Sequence, residues 1–225
     1  MSPFLNQIDA LTRSAHYYLD EQDDCCYVSE FTARKGYEFS PTNQLIANLK
    51  KDPELRGTSQ WPYKGRAIKT VAQQFCECIG SAWLRRATLI PIPPSCVKTD
   101  PGYDDRLYQV IVEMGRLLKC ELDVRELILQ RENIEPFHQN KGGRRLRPSE
   151  LADNYYLNED SKYPYPSVIG LFDDVLTTGS HFKAAKLILG AAFPDIPIKG
   201  FFIARRVSAP SGDEVTDNED YEIWE

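Results

Sequence analysis

Two adjacent carboxylates, Asp173 and Asp174, close an apolar run that begins at Val168, and a hydroxyl-rich turn follows them: Leu176-Thr177-Thr178-Gly179-Ser180. Such a run reads as a strand buried on both faces, and in α/β sheets ligands bind beyond the C-terminal ends of such strands. The turn offers successive backbone N–H groups, the hydroxyls of Thr177, Thr178 and Ser180, and the start of a helix, a donor set suited to the oxygens and charge of a phosphate. Gly179 lets the backbone approach closely. Carboxylates repel phosphate but accept hydrogen bonds from sugar hydroxyls, so acids beside a phosphate cradle point to a sugar phosphate, ribose 5-phosphate above all. An acidic strand end with an N-capped helix, or an acidic pair holding a metal, would use the same residues. Two acids buried in an ion pair, with no opening beside Gly179, would count against any ligand there.

The elements that position this string alternate between two periods. Apolar runs at 87–92, 124–129, 168–172 and 198–204 read as strands, and 107–118 and 182–189 repeat at helical spacing. Strands alternating with helices imply a mostly parallel sheet flanked by helices, an α/β fold of Rossmann-like type. Upstream, Ile68, Val71, Ala72, Phe75 and Ile79 share one side of a helix from about residue 64, and Ser40-Pro41 carries the cap and first-turn proline of a shorter one. The first segment reads as a helix over 3–19, then a strand over 25–31 paired with 37–39 as a small flap. Between the second and third core strands, residues 130–166 exceed an ordinary connection and read as a lid loop. The organisation expected is an N-terminal flap and helices over 1–83, a core over 84–207, and an acidic tail over 208–225.

Two clusters could meet a substrate. The basic run Lys141-Gly142-Gly143-Arg144-Arg145-Leu146-Arg147 combines glycines that let a loop swing with guanidinium groups that fork onto phosphate oxygens, or it is a solvated charge run. Tyr155, Tyr156, Tyr163 and Tyr165 crowd the approach to the acidic strand, where a ring could stack on a base, although core packing is the commoner use. His16, His138 and His181 are isolated, and an ordinary packed or surface role is favoured for each.

Bulk charge adds little. The 225 residues carry a formal charge of −6, but seven acids and no base lie from Asp213 onward, so the body is nearly balanced and any anion site must be local. A nucleic-acid partner therefore ranks last. No apolar stretch is long enough to span a bilayer, and residues 1–10 show no secretory or transit signal, so a cytoplasmic setting is expected. The six cysteines never fall at C-x-x-C spacing and read as free thiols.

The string Asp173-Asp174-Val175-Leu176-Thr177-Thr178-Gly179-Ser180 resembles the phosphoribosyl pyrophosphate (PRPP) signature of the type I phosphoribosyltransferases. The run from Leu84 to Pro93, ending in Pro91-Ile92-Pro93, extends the resemblance to the ComF-like branch, as do Arg131, Gln139 and Arg147. The likeness covers residues 45–205, strongly at the PRPP loop and weakly elsewhere. It implies transfer of a phosphoribosyl group to or from a nitrogenous base or amine, with Mg²⁺ entering on the substrate, and many such proteins form homodimers. It implies that Leu176, Thr177, Thr178, Gly179 and Ser180 hold the 5-phosphate. Ser95, Lys98 and Arg106 would hold pyrophosphate, and Arg131 and Arg144 would supply further donors. Asp173, Asp174 and Arg147 would form the catalytic set, with the two acids nearest the metal. The chain departs from the pattern where Pro101 replaces an arginine and Asp104 and Asp105 replace amides. A PRPP-sensing or nucleotide-binding module that has lost transfer chemistry is thus the alternative, with a role in nucleic-acid processing behind it.

Overall fold

The strand and helix rhythm resolves, in a computed structural model describing residues 3–134 and 146–209, into eight strands and seven α-helices among those residues. In chain order they are β1 (Asn6–Gln7), α1 (Ala10–Arg13), β2 (Asp24–Thr32), α2 (Pro41–Leu49), α3 (Trp61–Cys78), α4 (Ser81–Leu84), β3 (Thr88–Pro91) and α5 (Arg106–Leu118). There follow β4 (Asp123–Val124), β5 (Ile128–Gln130), α6 (Pro148–Asn154), β6 (Tyr155–Leu157), β7 (Ile169–Leu176), α7 (Ser180–Ala192) and β8 (Ile198–Val207). Six strands form one sheet in the order β1-β2-β8-β7-β3-β4, parallel throughout except for β1, while β5 and β6 make a separate antiparallel ribbon.

Alternation along each strand feeds two cores. Cys26, Leu89, Phe172, Phe201 and Ile203 pack with α2, α3 and α5, whereas Cys25, Ile90, Ile169, Leu171 and Phe202 pack with α6 and α7. A sheet covered on both faces must be apolar on both, which is why these strands read as continuous runs. The chain is therefore an α/β protein with a mostly parallel six-stranded sheet flanked by helices. Among the described residues no helix is long and apolar enough to cross a membrane, and all six cysteines are free.

Local signals hold where they are strong. Ser40 Oγ accepts the Asn43 amide at 3.0 Å and Pro41 opens α2. The N-terminal expectation is corrected. Residues 3–19 form β1, a four-residue helix and turns, and β2 does not pair with residues 37–39. It runs parallel to β8 along nearly its whole length, so it belongs to the main sheet. The lid expectation over 130–166 is corrected in part, because Leu151 and Tyr155 are buried and anchor α6 and β6 against α7. The expected strand over 124–129 breaks into β4 and β5 around Arg125, whose guanidinium donates to the Asp123 carboxylate and to the carbonyls of Ser161, Lys162 and Pro164. The acidic run from residue 213 lies outside the described residues.

Candidate functional site

β7 extends past Phe172 to Leu176, so the two acids lie inside the strand rather than beyond its end. Neighbouring side chains on a strand point to opposite faces, and that geometry divides the pair. Asp174 turns toward α2 and α5 and is buried at 5% exposure. Its Oδ2 accepts Arg106 Nε at 3.1 Å and Nη2 at 2.6 Å, and its Oδ1 meets Lys50 Nζ at 3.2 Å and the Val175 amide at 2.7 Å. Arg106 also donates to Asp104 at 2.8 Å, and Asp104 accepts Lys64 Nζ at 2.7 Å. Lys64 spends its other two protons on the carbonyls of Leu49 and Lys51, at 2.7 and 2.8 Å. Lys50, Lys64 and Arg106 thus set three cations against the carboxylates Asp104 and Asp174, with Asp173 alongside.

Asp173 takes the opposite face and remains half-buried. It lines a cavity of about 240 Å³ between loop 92–106 and the β5–β6 ribbon. Burial, followed by the Asp174 charge, pushes its carboxyl up to about 7, against the smaller opposing effects of the Asp174 amide that donates to it and of the Lys50 and Arg106 charges. Burial would raise Asp174 too, but the Lys50 and Arg106 charges outweigh it and hold that carboxyl well below the usual range. Adjacent residues of one type therefore have different chemistry: Asp174 is a committed anion and Asp173 a group that gains or loses a proton near neutrality.

The turn after β7 is roofed. Gly179 has φ 85°, and a Cβ there would lie 2.7 Å from Leu19 Cδ2. The Tyr18 amide donates to the Thr178 carbonyl at 3.0 Å, and His16 Nδ1 donates to the Thr177 carbonyl. His16 is fully buried, and burial, helped by the Arg205 charge, outweighs the bond to the Thr177 carbonyl and lowers its pKa. Thr178, Gly179 and Ser180 are buried, and Thr177 is half-buried. α7 starts at Ser180 with no side-chain cap, so its first amides stay available to an anion if the roof moves.

The remaining expected donors scatter. Lys98 and Arg131 line the cavity, Lys98 paired with Glu126 and Arg131 lying 5.1 Å over the Tyr156 ring. Ser95 is exposed and its carbonyl accepts the Ile134 amide at 2.8 Å. Arg106 also lines the cavity, but its guanidinium is engaged by Asp104 and Asp174, which corrects its assignment as a free pyrophosphate donor. Arg147 is exposed at the start of α6, where Glu150 faces it, and is not among the cavity walls. Arg144, His138 and Gln139 lie outside the described residues. Tyr155 is buried with its hydroxyl 2.8 Å from His181 Nδ1, a packing role, and Tyr165 sits edge-on to Phe193.

Both Asp174 oxygens are taken by cations and the Val175 amide, so the expectation that Asp174 lies against a metal is corrected, and Asp173 is the member of the pair that faces the cavity. The described residues hold no cluster of three or more His, Cys, Asp or Glu groups able to bind an ion by themselves, a cluster that a metal carried in on substrate phosphates does not require.

Lys64 had a legible signal, a charge on the stripe of Ile68, Val71 and Phe75. Lys50 and the 16–19 roof had none, because their partners are remote in sequence.

The fold and cleft define an α/β protein with a ligand-sized cavity at its strand ends. No protein-family model matches the chain, and no curated protein matches it.

Proposed function

We propose that this protein binds Mg²⁺-complexed PRPP at the strand ends and transfers its phosphoribosyl group to, or from, a nitrogenous base or amine, as a ComF-like type I phosphoribosyltransferase. The observation that carries this reading is Asp173, half-buried on the cavity wall, followed within one turn by Gly179 at positive φ and the uncapped start of α7. Asp173 accepts ribose hydroxyls, and the 177–180 amides and hydroxyls receive the 5-phosphate once residues 16–19 shift. Displacement at an anomeric carbon passes through a cationic transition state that needs orientation and charge compensation more than proton transfer. Lys98 and Arg131 stand at the cavity for that purpose. Six free thiols, two buried and four half-buried, agree with a reducing cytoplasm.

A second reading, a PRPP or nucleotide sensor without transfer chemistry, draws on Arg106 being held by Asp104 and Asp174 and on Leu19 covering Gly179. Calorimetric titration with PRPP and Mg²⁺ tests both, and micromolar binding is expected. Pyrophosphate release with a panel of bases and amines then separates them: release supports transfer, and binding without release supports the sensor. Leu19→Ala removes the side chain over Gly179 and is expected to raise PRPP affinity several-fold. Unchanged affinity would place the phosphate elsewhere.

A further inference from the structure

β8 ends at Val207, opposite Thr32 of β2, and the Val207 carbonyl accepts the Ala33 amide at 3.0 Å. The loop after β2 therefore begins where the chain leaves the sheet. It carries exposed Arg34, Tyr37 and Phe39, with Lys35 Nζ 5.6 Å from the Phe39 ring centroid. Asn48, near the end of α2, donates to the Tyr37 hydroxyl at 3.3 Å and ties the loop to that helix. Three residues on, Lys51 Nζ lies 6.0 Å from the ring centroid of exposed Tyr63, and the guanidinium of exposed Arg66 lies 4.2 Å from the same centroid. Exposed Arg56 meets the Trp61 ring at 5.3 Å. Cations and rings thus alternate in a belt that runs from the end of β8, along α2, to the first two turns of α3.

Lys50 and Lys64, which lie between these residues in sequence, are spent on Asp174 and Asp104. The belt itself sets Arg34, Lys35, Lys51, Arg56 and Arg66 against Glu38, Asp52 and Glu54. That excess is thin for a nucleic-acid backbone, which selects a clearly basic face, but it suits a short acidic peptide with aromatic side chains. The same chain holds one: from Asp213 onward come seven acids, no base, and Tyr221, Ile223 and Trp224. Reach is no obstacle, since the nine residues of α2 rise only about 13 Å, whereas residues 208–221 span roughly 45 Å when extended. We propose that the acidic segment 213–225 docks on this belt within its own chain, its carboxylates on the five cations and its rings against Tyr37, Phe39 and Tyr63. The proposal is independent of PRPP, because none of the belt residues lines the cavity.

The test couples carboxylates to adjacent amines in the full chain with a zero-length carbodiimide and maps the links by mass spectrometry. Links from Lys35 or Lys51 to acids of 213–225 are expected within single chains at low ionic strength. They are expected to fall at least fivefold in molar salt, which screens exposed charges. Arg56→Glu combined with Arg66→Glu, two exposed changes that spare the fold, is expected to cut the Lys51 links at least threefold. Hydrogen exchange supplies the second measurement. Amides of 34–39 are expected to exchange at least threefold faster in a full-length variant in which each Asp of 213–225 becomes Asn and each Glu becomes Gln. Absence of intrachain links together with equal exchange in the two proteins overturns the proposal. Links formed only in products of twice the chain mass assign the segment to a second copy and overturn it as well. So does an oligothymidylate that shields residues 34–39 equally in wild type and the neutralised variant, since nucleic acid would then be the occupant.

Discussion

Asp174→Asn is expected to destabilise the protein by about 3–5 kcal/mol, the usual cost of removing one partner from a buried ion pair. Asp173→Asn, one residue away, is expected to leave the chain folded and abolish PRPP binding. The contrast follows from the alternation of β7: Asp174 neutralises Arg106 and Lys50 in the interior, whereas Asp173 lines the cavity. Amide at 174 accepts from the guanidinium without cancelling its charge, so half-buried Lys50 loses its counter-ion and Arg106 keeps only Asp104. Urea denaturation at neutral pH measures the first effect and calorimetry the second.

The same pair predicts a pH dependence. Asp173 is pushed up to about 7, above its ordinary carboxylate value, so the folded state binds its proton more tightly than the unfolded chain. That contribution to stability is complete at low pH, below the ordinary value, and is lost as pH rises through about 7. Asp173→Asn is expected to remove this decline, leaving the variant more stable relative to wild type at pH 8 than at pH 5. Parallel stability curves for the two proteins would show that Asp173 does not titrate there.

Lys64→Met is expected to cost a further loss of similar size, about 3–5 kcal/mol, although the substitution is apolar and lies on an apolar helix face. The ammonium group satisfies Asp104 and the carbonyls of Leu49 and Lys51, which end α2 and begin the next loop. Without it Asp104 keeps only Arg106, and two carbonyls lose a donor. Because Arg106 then faces altered charge, the damage should pass to Asp174. A double-mutant cycle with Asp104→Asn is expected to give a coupling of about 1–3 kcal/mol. A loss under about 0.5 kcal/mol for Lys64→Met, the level of an ordinary surface change, would show that the network does not act as a unit.

Local chemistry was readable wherever a period or a cap expressed it. The runs at 87–92 and 198–204 are strands, 107–118 and 182–189 are helical, Ser40 caps α2, and the mostly parallel sheet follows from their alternation. Each depends on residues within a few positions of one another, so composition and spacing carry them. Lys64 was also within reach, as a charge on the apolar stripe of α3. Pairing was not. The strand character of residues 25–31 is local, but the choice of β8 as partner joins Cys26 to Phe201, and no pattern near Cys26 names Phe201. The same holds for Leu19 over Gly179 and for Lys50 and Arg106 on Asp174. The residue types at the candidate site were thus set by the chain itself. Which of the two aspartates faces the cavity, and what covers the turn behind them, was decided by strand register and long-range packing, because burial and charge pairing depend on neighbours that only the folded chain brings together.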